Sequence, residues 1–201
     1  MNNETFYYWG PYLWKTQVDK DFCDELLERA KKTNVKLNAS LAGHIDEEYK
    51  YLQEDKDWCL NKMMPYLDRY LKSGAYWYSK YLEKEFTKVS LTTLWINFMK
   101  KGEYNPQHTH NADISFVLYL KVPEILKKEN MEKFVSATPH IKPGSIEFCY
   151  GEYLDTFVTS HVFLPEETDL FMFPSKLRHL VSPFRSDCVR ISVSGNFNIE
   201  K

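Results

Sequence analysis

The sequence predicts a mainly β fold with helices at its N-terminal end, and three observations support this prediction. Helical periodicity dominates residues 1–85, whereas short apolar runs separated by turn residues dominate residues 86–201. Aromatic residues make up 16% of the chain, which suits a β-rich core that packs large rings. Many short strands at close spacing are typical of a sandwich or a jelly roll. We therefore expect one domain over residues 1–201, with a helical support and a β core.

Two helices are predicted in the N-terminal part. Asp19 is a candidate N-cap for the first helix, which is expected to stop at Asn34. Its apolar face comprises Phe22, Leu26, Leu27 and Ala30. The second helix is expected from about residue 55 to residue 71, with a kink or a restart at Pro65 and an end at Gly74. Its stripe comprises Cys59, Met63, Tyr66, Leu67 and Tyr70. Both stripes are expected to pack against a sheet.

Six strands are predicted after residue 86. They are Val89–Met99, Ser115–Val122, Ser145–Tyr150, Phe157–Phe163, Asp169–Phe173 and Cys188–Asn198. The last strand alternates, with Val189, Ile191 and Val193 on one face and Arg190, Ser192 and Ser194 on the other. Such a polar face fits the interior of a barrel. The charged segment Lys127–Lys133 is expected to be a solvated loop or a short helix.

Composition and charge argue against several classes of protein. The net charge is −2 and no long basic run occurs, so we expect no nucleic-acid partner. No apolar run approaches the roughly 20 residues that a membrane span needs, and Met1–Tyr12 lacks the pattern of a signal peptide. The cysteines at positions 23, 59, 149 and 188 form no CxxC pair. Reduced thiols in a cytoplasmic protein are the simplest interpretation.

Three of the six histidines have a spacing that suits a metal site. His108 and His110 are two residues apart, and in an extended segment such residues project to the same side. His179, which follows Phe173-Pro174-Ser175, can supply a third ligand and leave the opposite positions open for a bidentate co-substrate and dioxygen. The spacing alone is a weak signal, because an HxH pair is more often a surface or structural pair.

The segment around His179 resembles the distal motif of the 2-oxoglutarate/Fe(II) oxygenases, especially the prolyl-hydroxylase-like branch. In that motif Phe-Pro-Ser precedes a histidine ligand, then Val and Pro, and a basic residue and a serine follow. Here Val181 and Pro183 follow the histidine, Arg190 lies 11 positions beyond it, and Ser192 completes an RxS pattern. The resemblance implies that Arg190 and Ser192 hold the distal carboxylate of 2-oxoglutarate. An arginine provides a bidentate clamp that lysine cannot match.

The proximal segment also resembles this family. Gly102, Tyr104 and His108 match its Gly…Tyr…His run, and residues 108–123 are similar to a subgroup found in bacteria and marine phages. Residues 41–43 and 48–49 resemble the N-terminal signature of the same subgroup. The resemblance covers roughly residues 40 to 198 and implies a double-stranded β-helix, a cupin-like jelly roll. It also implies Fe(II), 2-oxoglutarate and O2 as cofactor and co-substrates. A phage-encoded member would act in the host cytoplasm.

One departure from the family pattern leaves the ligand set open. Most members carry His-x-Asp or His-x-Glu, whereas the second position here is His110. His108, His110 and His179 can form a three-histidine site. Alternatively Asp113 supplies the carboxylate and one histidine is displaced, or His110 contacts the substrate or 2-oxoglutarate. We favour the three-histidine site, because the i, i+2 interval is the spacing that the family uses.

The remaining candidates are contacts to the co-substrate. Tyr104, Tyr119 and Asn97 carry hydroxyl and amide groups of the kind that flank a carboxylate clamp. His44, His140 and His161 match no pattern. The predicted function is hydroxylation of an amino-acyl residue in a protein or peptide, or of a small molecule. The alternatives are a non-catalytic cupin-like binding module and a three-histidine dioxygenase that does not use 2-oxoglutarate. The sequence specifies neither the substrate nor the oligomeric state.

Overall fold

The computed structural model describes residues 10–37, 42–82, 88–132, 142–152 and 159–200, which form three helices and ten strands. The helices are α1 (Lys20–Ala30), α2 (Gln53–Leu82) and α3 (Glu124–Met131). The first five strands are β1 (Trp14–Gln17), β2 (Glu48–Lys50), β3 (Lys88–Met99), β4 (Asn105–His108) and β5 (Ile114–Lys121). The others are β6 (Ile146–Cys149), β7 (Ser160–Phe163), β8 (Asp169–Pro174), β9 (Arg178–Val181) and β10 (Arg190–Glu200).

The strands form two antiparallel sheets that face each other as a jelly roll, which confirms the predicted fold class. The larger sheet has the order β1-β8-β5-β10-β3-β2, and the smaller has the order β4-β9-β6-β7. A core of apolar residues fills the space between the sheets and includes Phe148 and Val181 from the smaller sheet and Phe171 from the larger.

The helices cover the other face of the larger sheet. Leu26 of α1 and Met63 and Leu67 of α2 pack with Ile191 and Val193 of β10 in a second apolar cluster. Arg190 and Ser192 are also buried, and they lie on the opposite face of β10. The polar and aliphatic faces predicted for this strand are therefore observed, since helices cover one face and the smaller sheet covers the other.

The N-terminal part differs from the prediction in two ways. Helix α2 runs to Leu82 and does not end at Gly74. A glycine ends a helix when it adopts a left-handed conformation, and Gly74 is not among the residues with positive φ. In addition, β1 and β2 pair with β8 and β3 in the larger sheet, so this part is not only helical. Strands of three or four residues carry too little alternation to be recognised from sequence.

Other boundaries agree with the prediction to within a few residues. Asp19 occupies the N-cap position of α1, although its side chain makes no capping hydrogen bond. The charged insertion forms the short helix α3, and Lys133 lies outside the described residues. Residues 157–158 of the predicted fourth strand also lie outside them, as do residues 1–9 and His140. No helix in the described ranges is long and apolar enough to span a membrane.

Candidate active site

Strand pairing brings the three predicted histidines together. His108 at the end of β4 is directly opposite His179 of β9, as part of an antiparallel ladder with a local irregularity. His110 follows two residues later, and its backbone N–H donates to the carbonyl oxygen of Ser175 at 2.9 Å. One ring nitrogen of each histidine lies within 4.8 Å of the others. His110 and His179 are 69 positions apart in the sequence, and they lie side by side because β4 pairs with β9.

Backbone carbonyl groups orient two of these rings. Nδ1 of His108 lies 2.7 Å from the carbonyl oxygen of Pro106, and Nδ1 of His179 lies 2.9 Å from that of Leu177. A ring nitrogen beside a carbonyl oxygen carries the proton, so Nε2 of each ring keeps its lone pair. Nε2 of His179 lies 3.2 Å from Nε2 of His110. This arrangement of nitrogen lone pairs fits a divalent metal ion of the first transition series.

Burial keeps the three imidazoles neutral, which is the form that binds metals. Desolvation, followed by the neighbouring His108, lowers the pKa of His179 to about 3. Desolvation and then His108 lower the pKa of His110 to about 4. Desolvation also lowers the pKa of His108, against an opposing hydrogen bond to Pro106. The cluster therefore needs no deprotonation to accept a metal at neutral pH.

Asp113 lies away from the three histidines. Its Oδ2 accepts a hydrogen bond of 2.8 Å from the backbone N–H of Ile199 in β10. Its own backbone N–H donates to Phe197, and its carbonyl oxygen accepts from Ser175. Asp113 therefore fixes the turn before β5 against the end of β10. In the part of the chain that the structure describes, no carboxylate joins the histidine cluster.

A small interior cavity of about 40 Å³ adjoins the cluster between the two sheets. The three histidines line it together with Trp95, Asn97, Asn105, Tyr119, Phe173 and Ser194, among others. The ring of Phe173 lies 4.9 Å from that of His179, edge to face, and Phe148 lies 6.0 Å away. These aromatic rings shield the cluster from solvent on the side of the core.

Arg190 is buried near this cavity with incomplete hydrogen bonding. Its Nη1 donates to the carbonyl oxygen of Gly144 at 2.6 Å, and its Nη2 lies 3.1 Å from Sδ of Met99. Its guanidinium lies 5.2 Å from the ring centre of Tyr119. Nε of Arg190 and the hydroxyl of Tyr119 are both buried, yet neither has a hydrogen-bond partner among the described residues. Ser192, which is also buried, accepts a bond of 3.4 Å from Nδ2 of Asn97.

A carboxylate group can accept hydrogen bonds from the two buried donors, Nε of Arg190 and the hydroxyl of Tyr119. Desolvation lowers the pKa of Arg190 from its ordinary value, but an arginine guanidinium stays protonated in proteins. Desolvation raises the pKa of Tyr119 to about 12, so its hydroxyl keeps its proton and can donate. Among the described residues, Arg190 forms no salt bridge, and a buried cation of this kind calls for an anion. These residues fit the distal carboxylate of 2-oxoglutarate.

The other predicted residues have varied positions. Asn97 and Tyr119 line the interior cavity. Tyr104 does not: its side chain is exposed, and its ring stacks on that of His44 with centroids 5.3 Å apart. His161 lies on β7 beside Phe163. The structure thus brings Asn97 and Tyr119, but not Tyr104, to the histidine cluster.

The sequence reasoning missed Glu48 and Trp95, which also lie beside the cluster. Trp95 is buried with its ring 5.6 Å from that of His110, and Glu48 is buried on β2. Glu48 belongs to the segment that resembles an N-terminal signature of the family, but no local pattern in the sequence marks either residue as part of a site. Their proximity depends on the pairing of β2 with β3.

A jelly roll that holds a histidine cluster and a buried arginine without a carboxylate partner among the described residues is typical of the non-haem metal oxygenases that use an anionic co-substrate. The sequence matches the model of the family described as "Putative 2OG-Fe(II) oxygenase" over residues 93–196, just over half of the chain. The chain belongs to this family. It is an oxidoreductase that uses Fe(II) and 2-oxoglutarate. No curated protein sequence matches the chain significantly.

Solved structures share the fold at low sequence identity. A prolyl-4-hydroxylase from Pseudomonas putida is 17% identical, with a TM-score of 0.56 and coverage of 95% of this chain and 94% of that one. A viral collagen prolyl hydroxylase from Paramecium Bursaria Chlorella virus-1, in complex with 2-oxoglutarate, is 15% identical, with a TM-score of 0.57 and coverage of 94% and 96%. HygX from Streptomyces hygroscopicus, with nickel, 2-oxoglutarate and hygromycin B bound, is 9% identical, with a TM-score of 0.56 and coverage of 94% and 83%.

Proposed function

We propose that this oxygenase hydroxylates a C–H bond of an amino-acyl residue in a protein or peptide, with iron held by His108, His110 and His179. The use of 2-oxoglutarate in this proposal is carried by the buried guanidinium of Arg190, which lacks an anionic partner among the described residues and lies against Tyr119 of the cavity that the histidines line. When bound, Fe(II) and 2-oxoglutarate supply the activation of O2 and the oxidation of the substrate, with loss of CO2 and succinate as the co-product.

The residues of the chain have separate tasks in this proposal. Nε2 of His108 and of His179, oriented by backbone carbonyl groups, and a ring nitrogen of His110 bind the metal. Nε of Arg190 and the hydroxyls of Tyr119 and Ser192 donate to the far carboxylate of 2-oxoglutarate. The aromatic rings around His179 exclude water, which protects a reactive centre from side reactions.

The choice of an amino-acyl substrate is supported by the prolyl hydroxylases among the similar structures. HygX, which binds hygromycin B, keeps a small molecule open as the alternative. A three-histidine dioxygenase that does not use 2-oxoglutarate is disfavoured, because such an enzyme has no need of a buried arginine without a carboxylate partner. The four free thiols are in keeping with action in a reducing compartment such as the cytoplasm.

The test is His179→Ala with His161→Ala as its matched control, since His161 is exposed and outside the cluster. Under anaerobic conditions, wild-type protein with Fe(II) and 2-oxoglutarate should show a visible charge-transfer band. His179→Ala should lose this band and 2-oxoglutarate turnover, whereas His161→Ala should keep both. Full turnover by His179→Ala would overturn the metal assignment. Mass spectrometry of a cell lysate treated with the loaded enzyme then searches for the substrate. A peptide that is heavier by one oxygen atom is the expected product.

A further inference from the structure

A second cavity, of about 160 Å³, adjoins the histidine cluster. His108, His110, Trp95 and Asn105 line both this cavity and the interior one, whereas Glu48 and Thr109 line only the second. Thr109 is exposed, so this cavity is open towards solvent. A group bound there lies beside the metal centre without occupying the interior cavity that holds Tyr119.

Glu48 is the buried charged group of this outer cavity. Its side chain is only 1% exposed, and its Oε2 has no hydrogen-bond partner in the part of the chain that the structure describes. Glu48 is directly opposite Asn97 in the pairing of β2 with β3, so the two side chains share a face of the sheet. Oδ1 of Asn97 is also buried and has no partner among the described residues. When Glu48 is ionised both atoms are acceptors, and leaving buried acceptors unpaired costs about 1–3 kcal/mol each.

The neighbouring carboxylates Glu47 and Glu103, in contrast, have partners. Glu47, the preceding residue, forms an ion pair of 2.6 Å with Lys100. Glu103 accepts backbone hydrogen bonds from Asp46 and Lys100. In the described ranges no lysine or arginine pairs with Glu48. Desolvation, followed by the charge of Glu103, raises the pKa of Glu48 to about 7. A cation that entered the cavity would remove this penalty by pairing with the carboxylate.

The indole of Trp95 provides a second feature that suits a cation. Trp95 is 5% exposed and lines the same cavity as Glu48. An aromatic face beside a carboxylate attracts ammonium and guanidinium groups, and the attraction grows as water is excluded. The volume corresponds to roughly five water molecules at about 30 Å³ each. That is enough for the end of a cationic side chain, but not for a whole peptide.

We propose that Glu48 and Trp95 form a specificity pocket for a cationic nitrogen group of the substrate, either an alkylammonium or a guanidinium, next to the C–H bond that is oxidised. The inference rests on the proposed function and names the substrate class within it: a residue with a basic side chain, or one whose neighbour has such a side chain. The two buried charges then have different ligands: Arg190 binds the acidic co-substrate, and Glu48 binds the basic group of the substrate.

The experiment is a binding titration on protein loaded with Zn(II), which is diamagnetic, and 2-oxoglutarate. The probes are n-butylammonium and n-butylguanidinium, with n-butanol and butyrate as the neutral and anionic comparisons. Binding is read from saturation transfer to the methylene protons of the probe and from the shift of the Trp95 indole N–H. We expect at least one cation to bind, and the stronger of the two identifies a lysine-like or an arginine-like group. Equal or stronger binding of n-butanol or butyrate would overturn the proposal.

Three variants make this test specific. Glu48→Gln should weaken binding of the cation by about tenfold or more, which is the scale expected when a buried charge loses its partner. Glu47→Gln removes the same charge one residue away and should leave binding unchanged. Glu48→Asp keeps the charge and should bind the cation several-fold more tightly than Glu48→Gln. If Glu48→Gln binds the cation as wild type does, Glu48 serves only as an internal hydrogen-bonding group and the proposal fails.

The outcome is distinguishable from failure of the proposed function. If 2-oxoglutarate does not bind to wild-type protein, the proposed function fails, and the cation titration on the Zn(II)-loaded protein still decides the role of Glu48. If 2-oxoglutarate binds and the cations do not, only this inference fails. With iron, the loaded enzyme should oxidise peptides containing lysine or arginine in preference to matched peptides containing norleucine, and Glu48→Gln should reduce that preference.

Discussion

Replacement of Arg190 by methionine should separate stability from co-substrate binding. Methionine is unbranched and fills a similar space, so the change removes the charge with little loss of packing. If Arg190 holds the distal carboxylate of 2-oxoglutarate, losing it costs about 2–5 kcal/mol of binding. At about 1.4 kcal/mol per factor of ten, the dissociation constant for 2-oxoglutarate should rise roughly 30-fold to 4,000-fold. Metal affinity should change little, because Arg190 is not a ligand.

The same variant should leave the folded state nearly as stable as wild type. Arg190 is buried without a carboxylate partner among the described residues, so its removal relieves a desolvation cost. Replacing buried charges by apolar side chains stabilises a fold by up to about 1–4 kcal/mol. The loss of the bond to the carbonyl oxygen of Gly144 costs about 1–3 kcal/mol in the other direction. The two effects nearly cancel, so the free energy of unfolding should change by about 1 kcal/mol or less.

Two measurements check this prediction, and both use protein free of 2-oxoglutarate as the starting point. Urea unfolding gives the free energy of unfolding, and calorimetric titration of the metal-loaded protein gives the affinity for 2-oxoglutarate. Arg178→Met is the matched control, because Arg178 is exposed on β9 and donates to the carbonyl oxygen of Gly151. An unchanged affinity in Arg190→Met, or a loss of several kcal/mol of stability, would show that Arg190 is a structural residue and refute the reasoning.

Three further predictions follow from the contacts described above. His110→Ala should lose metal affinity, whereas Asp113→Ala should keep it and lower only the stability of the fold, because Oδ2 of Asp113 accepts a hydrogen bond from Ile199. Metal titration of both variants tests this, and the reverse result would establish a two-histidine, one-carboxylate site. In the ligand-free protein, burial raises the pKa of Glu48 from 4.5 to about 7, so the folded state holds a proton that the unfolded state releases. Stability should therefore fall as pH rises from about 4.5 to about 7, by about 3 kcal/mol in the limit, and urea unfolding of Glu48→Gln against pH should show a flatter profile. Gly195→Ala should destabilise the fold by about 1–3 kcal/mol, because the added methyl group would lie 2.4 Å from the ring of Phe116, and a thermal unfolding curve unchanged from wild type would contradict this.

Features that depend on local backbone geometry can be predicted from this sequence. The alternation along residues 188–198 predicted which face of β10 is polar, and burial of Arg190 and Ser192 on that face agrees. The i, i+2 interval of His108 and His110 predicted two imidazoles on one side, because extended backbone repeats every two residues. The motif around His179 supplied the third residue of the cluster by resemblance, and the structure places its ring nitrogen beside the other two.

Features that depend on pairing between distant segments are visible only in the folded protein. Asp113 is three residues from His110, yet its carboxylate turns to the backbone of Ile199, 86 positions away. Glu48 lies beside the histidines because β2 pairs with β3 in a register that sets it opposite Asn97. Residues 48 and 97 have no interval in the sequence that could reveal this. A repeat of two residues follows from the chemistry of one strand, whereas the register of two strands is set by the packing of the whole core around them.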